Sequence, residues 1–172
     1  MVREIIAGVD LGGTKILAGI FDDRGQTLGK SQIPTEAARG LDAVLERLTG
    51  LIAELRSRHA PGDKLRGVVV AAPGPLDSET GVVYEAPNLK WRDVPLREML
   101  QEILQVPVWI DNDGNLAALG EYTYGYPQEY RMLLYLTVST GIGGGIIING
   151  EIYRGIDGGA GEFGHMTIVR DG

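Results

Sequence analysis

GVDLGGTKILAGIFD, residues 8–22, joins two apolar stretches through one acidic residue, two glycines and a threonine. The apolar positions at 5–9 and 15–21 predict strands, and Gly12-Gly13 between them predicts a strand-to-strand turn. Where two Cβ atoms are missing, backbone N–H groups approach an anion closely, and Thr14 adds a hydroxyl donor and Lys15 a cation. Asp10, directly after the first strand, is placed to organise magnesium through water, because that hard ion favours carboxylate and phosphate oxygens. The spacing is not that of the GxxxxGK[ST] loop. Alone, DLGGTK also fits an ordinary hairpin. STGIGGG at 139–145 shifts the balance, since Thr140-Gly141 again meets an apolar run. Two backbone loops facing one nucleotide phosphate tail make phosphoryl transfer the leading reading.

Working outward, a strand at 27–33 follows a turn at 22–25, which makes an antiparallel ribbon of three strands. Leu41, Val44, Leu45, Leu48, Leu51, Ile52 and Leu55 recur at helical intervals and should cover one sheet face. The apolar run 65–71 ends in Ala72-Pro73-Gly74-Pro75, as a buried strand does when it feeds a turn at the carboxyl edge of a sheet. A helix is expected from Asp93, with Asp93 as its cap and Leu96, Met99, Leu100 and Ile103 on one side. A strand at 106–110 then runs into Asp111-Asn112-Asp113-Gly114-Asn115 and a helix carrying Leu116, Ala117 and Leu119. Beyond residue 130 the pattern changes to strands at 132–138, 145–148, 152–153 and 166–169, with no helix in view to cover them. The expected division is an N-terminal α/β lobe at 1–125 and the incomplete beginning of a second lobe at 126–172. That second stretch is too short for a core of its own, so further sequence or a partner should cover it.

Composition narrows the class. The 172 residues carry 16 Lys plus Arg against 23 Asp plus Glu, a net charge of −7, with no basic block for a nucleic-acid backbone. Cysteine is absent, which excludes disulfides and thiolate metal cages built from this chain. MVREIIAGVD reads as neither a secretory signal nor a membrane span, so a cytoplasmic location is the default expectation.

For chemistry, Asp113 is the leading candidate: a carboxylate there accepts a proton from a substrate hydroxyl as that oxygen attacks phosphorus. Asn112 offers a donor and an acceptor, which suits vicinal hydroxyls of a polyol. Asp111 reads as structural. In GAGEFGH, 159–165, Glu162 and His165 stand three apart between glycines, an arrangement compatible with a sugar contact or a metal ligand. One carboxylate and one imidazole do not complete a tetrahedral zinc centre. Trp91, Trp109, Tyr122, Tyr124 and Tyr126 read as packing residues.

Taken together, GVDLGGTKILAGIFD at 8–22, APGP at 72–75, NLKW at 88–91, DNDGNLAALGE at 111–121, STGIGGGIIINGEIYRG at 139–155 and GAGEFGHM at 159–166 resemble the N-terminal part of the ROK family. That family holds bacterial glucokinases, other sugar kinases and sugar-responsive repressors. The resemblance implies an actin/hexokinase-like ATPase (ribonuclease H-like) fold of two α/β lobes with the active cleft between them. It matches Asp10, Gly12, Gly13 and Thr14, with Lys15 beside them, to the first phosphate loop, and Thr140 and Gly141 to the second. Asn112 and Asp113 match the sugar-binding asparagine and the catalytic aspartate. Glu162 and His165 match sugar-contacting residues, and His165 also matches the histidine of a family zinc site. Gly74 and Asn88 lie near positions that shape the sugar pocket.

The implied reaction moves the γ-phosphoryl of ATP, with Mg2+, to a hexose hydroxyl, most simply the 6-hydroxyl of glucose. A homo-oligomer, most simply a dimer, is expected. Two departures stand out: Ser139 replaces a usual glycine, and the chain ends before the cysteine-rich zinc segment, a later sugar-binding glutamate and the adenosine-holding helices. Mannose, fructose, N-acetylglucosamine and N-acetylmannosamine remain alternative acceptors, and polyphosphate an alternative donor. The rival readings are a sugar-sensing repressor, for which no helix-turn-helix precedes the first strand, and a non-catalytic sugar-binding fragment.

Overall fold

The computed structural model describes residues 2–125, 130–138, 141–156 and 158–169. They fall into two compact units, Met1–Asn112 and Asp113–Gly172, whereas the sequence reading divides the chain at 125/126.

In the first unit, β1 (Glu4–Leu11), β2 (Lys15–Asp22) and β3 (Thr27–Pro34) form the expected antiparallel ribbon. After α1 (Leu41–His59), β4 (Lys64–Ala72) pairs parallel to β1, and β8 (Val108–Asn112) pairs parallel to β4. The sheet order is therefore β3-β2-β1-β4-β8. Alternation explains which face closes: Ile5, Ala7, Val9 and Leu11 of β1 and Ile16, Ala18 and Ile20 of β2 are buried. Val44, Leu45, Leu48, Leu51, Ile52 and Leu55 of α1 are buried with them, in one core cluster. Burying each such side chain is worth about 1.5–3 kcal/mol, which is why a helix opening on Gly40 without a side-chain cap holds here.

Between β4 and β8 lies a small sheet absent from the sequence reading: β5 (Leu76–Asp77), β6 (Val82–Ala86) and β7 (Trp91–Val94), followed by α2 (Leu96–Leu104). Asp93 is accordingly no helix cap. It sits in β7 at φ 51°, and Pro95 occupies the cap position. β8 also begins and ends two residues later than expected, so Asp111 and Asn112 are strand residues and not turn residues.

The second unit opens with α3 (Asp113–Gly120), continued by a π turn at Glu121–Gly125, and contains β9 (Met132–Val138), β10 (Ile142–Ile148) and β11 (Glu151–Ile152) in the order β11-β10-β9. The expectation of an uncovered second sheet needs correction, because α3 packs on β10. Gly145 makes this possible: a Cβ there would lie 2.6 Å from the Gly114 carbonyl oxygen and 2.7 Å from Ala118 Cβ. On β9, however, Leu134, Leu136 and Val138 remain 54%, 55% and 78% exposed, an open apolar strand. Residues 166–169 form no strand, again contrary to expectation. Of the proposed packing aromatics, Trp91 is buried, Trp109 and Tyr124 are exposed, and Tyr126 lies outside the described residues.

Candidate functional site

The tip of the β1–β2 hairpin is Gly12-Gly13-Thr14, closed by a hydrogen bond from Gly12 N to Lys15 O of 2.9 Å. Glycine is required at 13, since a Cβ would fall 2.6 Å from Asn88 Cβ and 3.2 Å from the Asn88 carbonyl oxygen. Thr14 and Lys15 are exposed, and Lys15 opens β2. On the other side stands Thr35, which the sequence reading missed. Its Oγ1 donates to Gly12 O at 2.6 Å and its N–H to Thr14 O at 2.9 Å. The signal was available: an antiparallel ribbon pairing Lys15 with Pro34 places the next residue, Thr35, opposite Thr14.

β1, β4 and β8 run parallel and end at one edge. Asp10 pairs in register with Ala71, Ala71 with Asp111, and Ala72 with Asn112. The exposed Asp10 carboxylate at this edge suits a water-mediated magnesium contact. Asp111 is buried and accepts the Asn112 N–H at 2.8 Å, as a residue fixing the end of the strand does. Gly74, at φ 84°, bends the chain after β4 so closely against the Glu85 carbonyl that a side chain would collide with it. Residues 86–88 then carry the chain from β6 to Asn88 and the hairpin tip.

In the second unit Asp113 is exposed in the first turn of α3, and its Oδ1 accepts the Gly114 N–H at 2.8 Å. Gly141 is exposed just before β10, while Thr140 lies outside the described residues. The GAGEFGH segment packs on β10: Gly161, at φ 96°, would bring a Cβ to 2.7 Å of the Gly144 carbonyl oxygen, and the Phe163 ring covers Gly144 at 2.7 Å by the same measure. This packing supports the short turn at Phe163–His165, where Glu162 Oε2 and His165 Nε2 stand 3.9 Å apart, both exposed. Among the described residues no group of three or more His, Cys, Asp or Glu stands together as a metal-holding cluster.

Asp10, Gly12, Gly13, Thr14, Lys15, Gly74, Asn88 and Asn112 thus belong to the first unit, and Asp113, Gly141, Glu162 and His165 to the second.

Residues 6–172 match the model of the ROK family. The chain belongs to the ROK family. A glucokinase of Halalkalibacterium halodurans is 39% identical over 96% of this chain and 50% of its own length. A xylose repressor of Caldicellulosiruptor bescii is 37% identical over 95% of this chain and 41% of its own. The crystal structure of a ROK family glucokinase from Streptomyces griseus in complex with glucose and AMPPNP superimposes with a TM-score of 0.85 at 36% identity, covering 98% of this chain and 52% of that one. This ROK chain spans about half the length of the curated relatives it matches. The α/β fold is that of the actin/hexokinase-like ATPases (ribonuclease H-like).

Proposed function

We infer that the chain is the N-terminal part of an ATP-dependent hexose kinase, acting most simply on the 6-hydroxyl of glucose. One observation carries the reading: the phosphate-type hairpin after β1 and Asn112 at the end of β8 leave the same carboxyl edge of one parallel ribbon, with Asn88 against the hairpin. Ligands of open α/β sheets bind outside that edge. Asp10 and the Gly12–Thr14 tip, with Lys15 beside it, belong to the nucleotide phosphates, as do Thr140 and Gly141. Asn112, Gly74, Asn88, Glu162 and His165 belong to the sugar.

In the proposed reaction the hexose hydroxyl oxygen bonds to the γ-phosphorus while the bond from that phosphorus to the bridging oxygen breaks, and ADP leaves. The hydroxyl proton passes to the Asp113 carboxylate, which also orients the attacking oxygen. Magnesium, when bound, neutralises charge on the phosphate oxygens, and Asp10 would hold its water. The lobes proposed for the whole protein are 1–125 and the region beginning at 126, in a cytoplasmic homo-oligomer, most simply a dimer. No helix among the described residues is long and apolar enough to cross a membrane.

Two measurements test the reading: hexose binding and phosphoryl transfer, on this chain and on a polypeptide extended to the length of the glucokinase relatives. A panel of glucose, mannose, fructose, N-acetylglucosamine and N-acetylmannosamine is offered with ATP or polyphosphate. Transfer to glucose by the extended form supports the proposal. An extended form that binds a sugar and transfers nothing favours the regulator reading, which the similarity to xylose repressors keeps in view.

A further inference from the structure

We propose that Thr35 is a positioning residue that holds the Gly12-Gly13-Thr14 tip in its anion-receiving form, an inference that rests on the phosphate reading of that tip. Thr35 is fully buried at the end of β3, in a segment with no assigned role. Its two hydrogen bonds take the carbonyls on either side of Gly13: Oγ1 to Gly12 O at 2.6 Å and N–H to Thr14 O at 2.9 Å. Among the described residues every peptide is trans. In a trans peptide the C=O and the following N–H point to opposite sides. Fixing the Gly12 carbonyl on Thr35 therefore turns the Gly13 N–H away from Thr35.

A glycine-rich tip has little conformational preference of its own, so something must select this peptide orientation. Flipped the other way, the Gly12-Gly13 peptide would present a carbonyl oxygen to an anion and repel it. Thr35 opposes that flip through its bond to the Gly12 carbonyl, and Asn88 packs so closely on Gly13 that no side chain fits there. A hydroxyl does this where a methyl of equal size does not, because the Gly12 carbonyl, once buried against an apolar group, would lose its partner.

Thr35→Val and Thr35→Ser in the isotope-labelled 172-residue chain separate the possibilities. The orientation of the Gly13 N–H is read from residual dipolar couplings, and anion binding from amide shifts on titration with inorganic tripolyphosphate. The wild type and Thr35→Ser should share one Gly13 coupling and one affinity. Thr35→Val should change the coupling and weaken binding about tenfold, with the amide spectrum elsewhere retained. If Thr35→Val does not fold, Thr35→Ala is read in the same two measurements. An unchanged Gly13 coupling and affinity in a folded Thr35→Val chain would overturn the proposal, as would a serine variant behaving like the valine one. A Gly13 coupling that changes in Thr35→Val, together with a wild type that ignores tripolyphosphate, would refute the phosphate reading instead, leaving Thr35 as a brace of the hairpin alone.

Discussion

Asp10 and Asp111 stand in one row of the central sheet, each paired in register with Ala71 between them. With strands about 4.8 Å apart, their Cα atoms lie roughly 10 Å from each other at the carboxyl edge. Only Asp10 is exposed there, whereas Asp111 is buried and bonded to the next backbone N–H. The two carboxylates should therefore fail differently. In the extended polypeptide, Asp10→Asn should raise the magnesium concentration needed for half-maximal nucleotide binding. Asp111→Ala should lower the unfolding midpoint. Magnesium titrations and thermal melts on both variants distinguish these outcomes.

Gly13 tests the close approach of the hairpin tip to Asn88. With a Cβ at 2.6 Å from Asn88 Cβ, Gly13→Ala must displace either the tip or residues 87–89. Overpacking of this kind costs about 1–3 kcal/mol. Gly13→Ala should lower the urea-unfolding free energy by that amount and weaken tripolyphosphate binding as well. Wild-type values in both assays would remove the contact from the account.

Gly145 makes the equivalent test for the second unit. Alanine there would meet the Gly114 carbonyl oxygen at 2.6 Å and Ala118 Cβ at 2.7 Å, prying α3 from β10. A loss of about 1–3 kcal/mol is expected. Hydrogen exchange should show it as faster exchange in residues 113–125 and 142–148, with the first unit's sheet unaffected.

Asp77 gives a pH dependence with a defined sign. Its carboxylate accepts hydrogen bonds from Thr80 Oγ1 at 2.8 Å and from the backbone N–H groups of Glu79 and Thr80 at 2.7 and 3.2 Å. The Thr80 hydroxyl first, then those N–H groups and the Arg97 charge, lower its pKa below the ordinary aspartate value of about 3.9. A carboxylate whose folded-state pKa is depressed contributes stability above its unfolded pKa and loses it as pH falls through the folded value. The β5–β6 turn should thus keep its contribution at neutral pH and lose it below about pH 4. In Asp77→Asn this acid-dependent part should be missing, which denaturant midpoints between neutral and acid pH measure.

The parts legible in the sequence were those with strong local patterns. β1 to β3 and α1 declared themselves through alternation and helical spacing, and the glycine motifs marked the turns that Gly13 and Gly161 occupy against neighbouring backbone. The small sheet was hidden because β5 has only two residues and β7 begins at Trp91 in a stretch whose Pro95 and apolar spacing pointed to a helix. The partner of β10 was hidden for another reason: periodicity identifies a helix at 113–120 but not the sheet it packs on, and Gly145 decided that through a tertiary contact. Thr35 was overlooked because a single buried hydroxyl has no periodic signature.

In the proposed reaction Asp113 receives the hydroxyl proton during phosphoryl transfer to a hexose. Asp113→Asn in the extended polypeptide tests it most directly, with glucose affinity by calorimetry and turnover by coupled assay. The glucose dissociation constant should stay within a few fold of wild type while kcat falls by about a thousandfold, within the range that loss of a general base produces. An Asp113→Asn enzyme that binds glucose and turns over at the wild-type rate would contradict it.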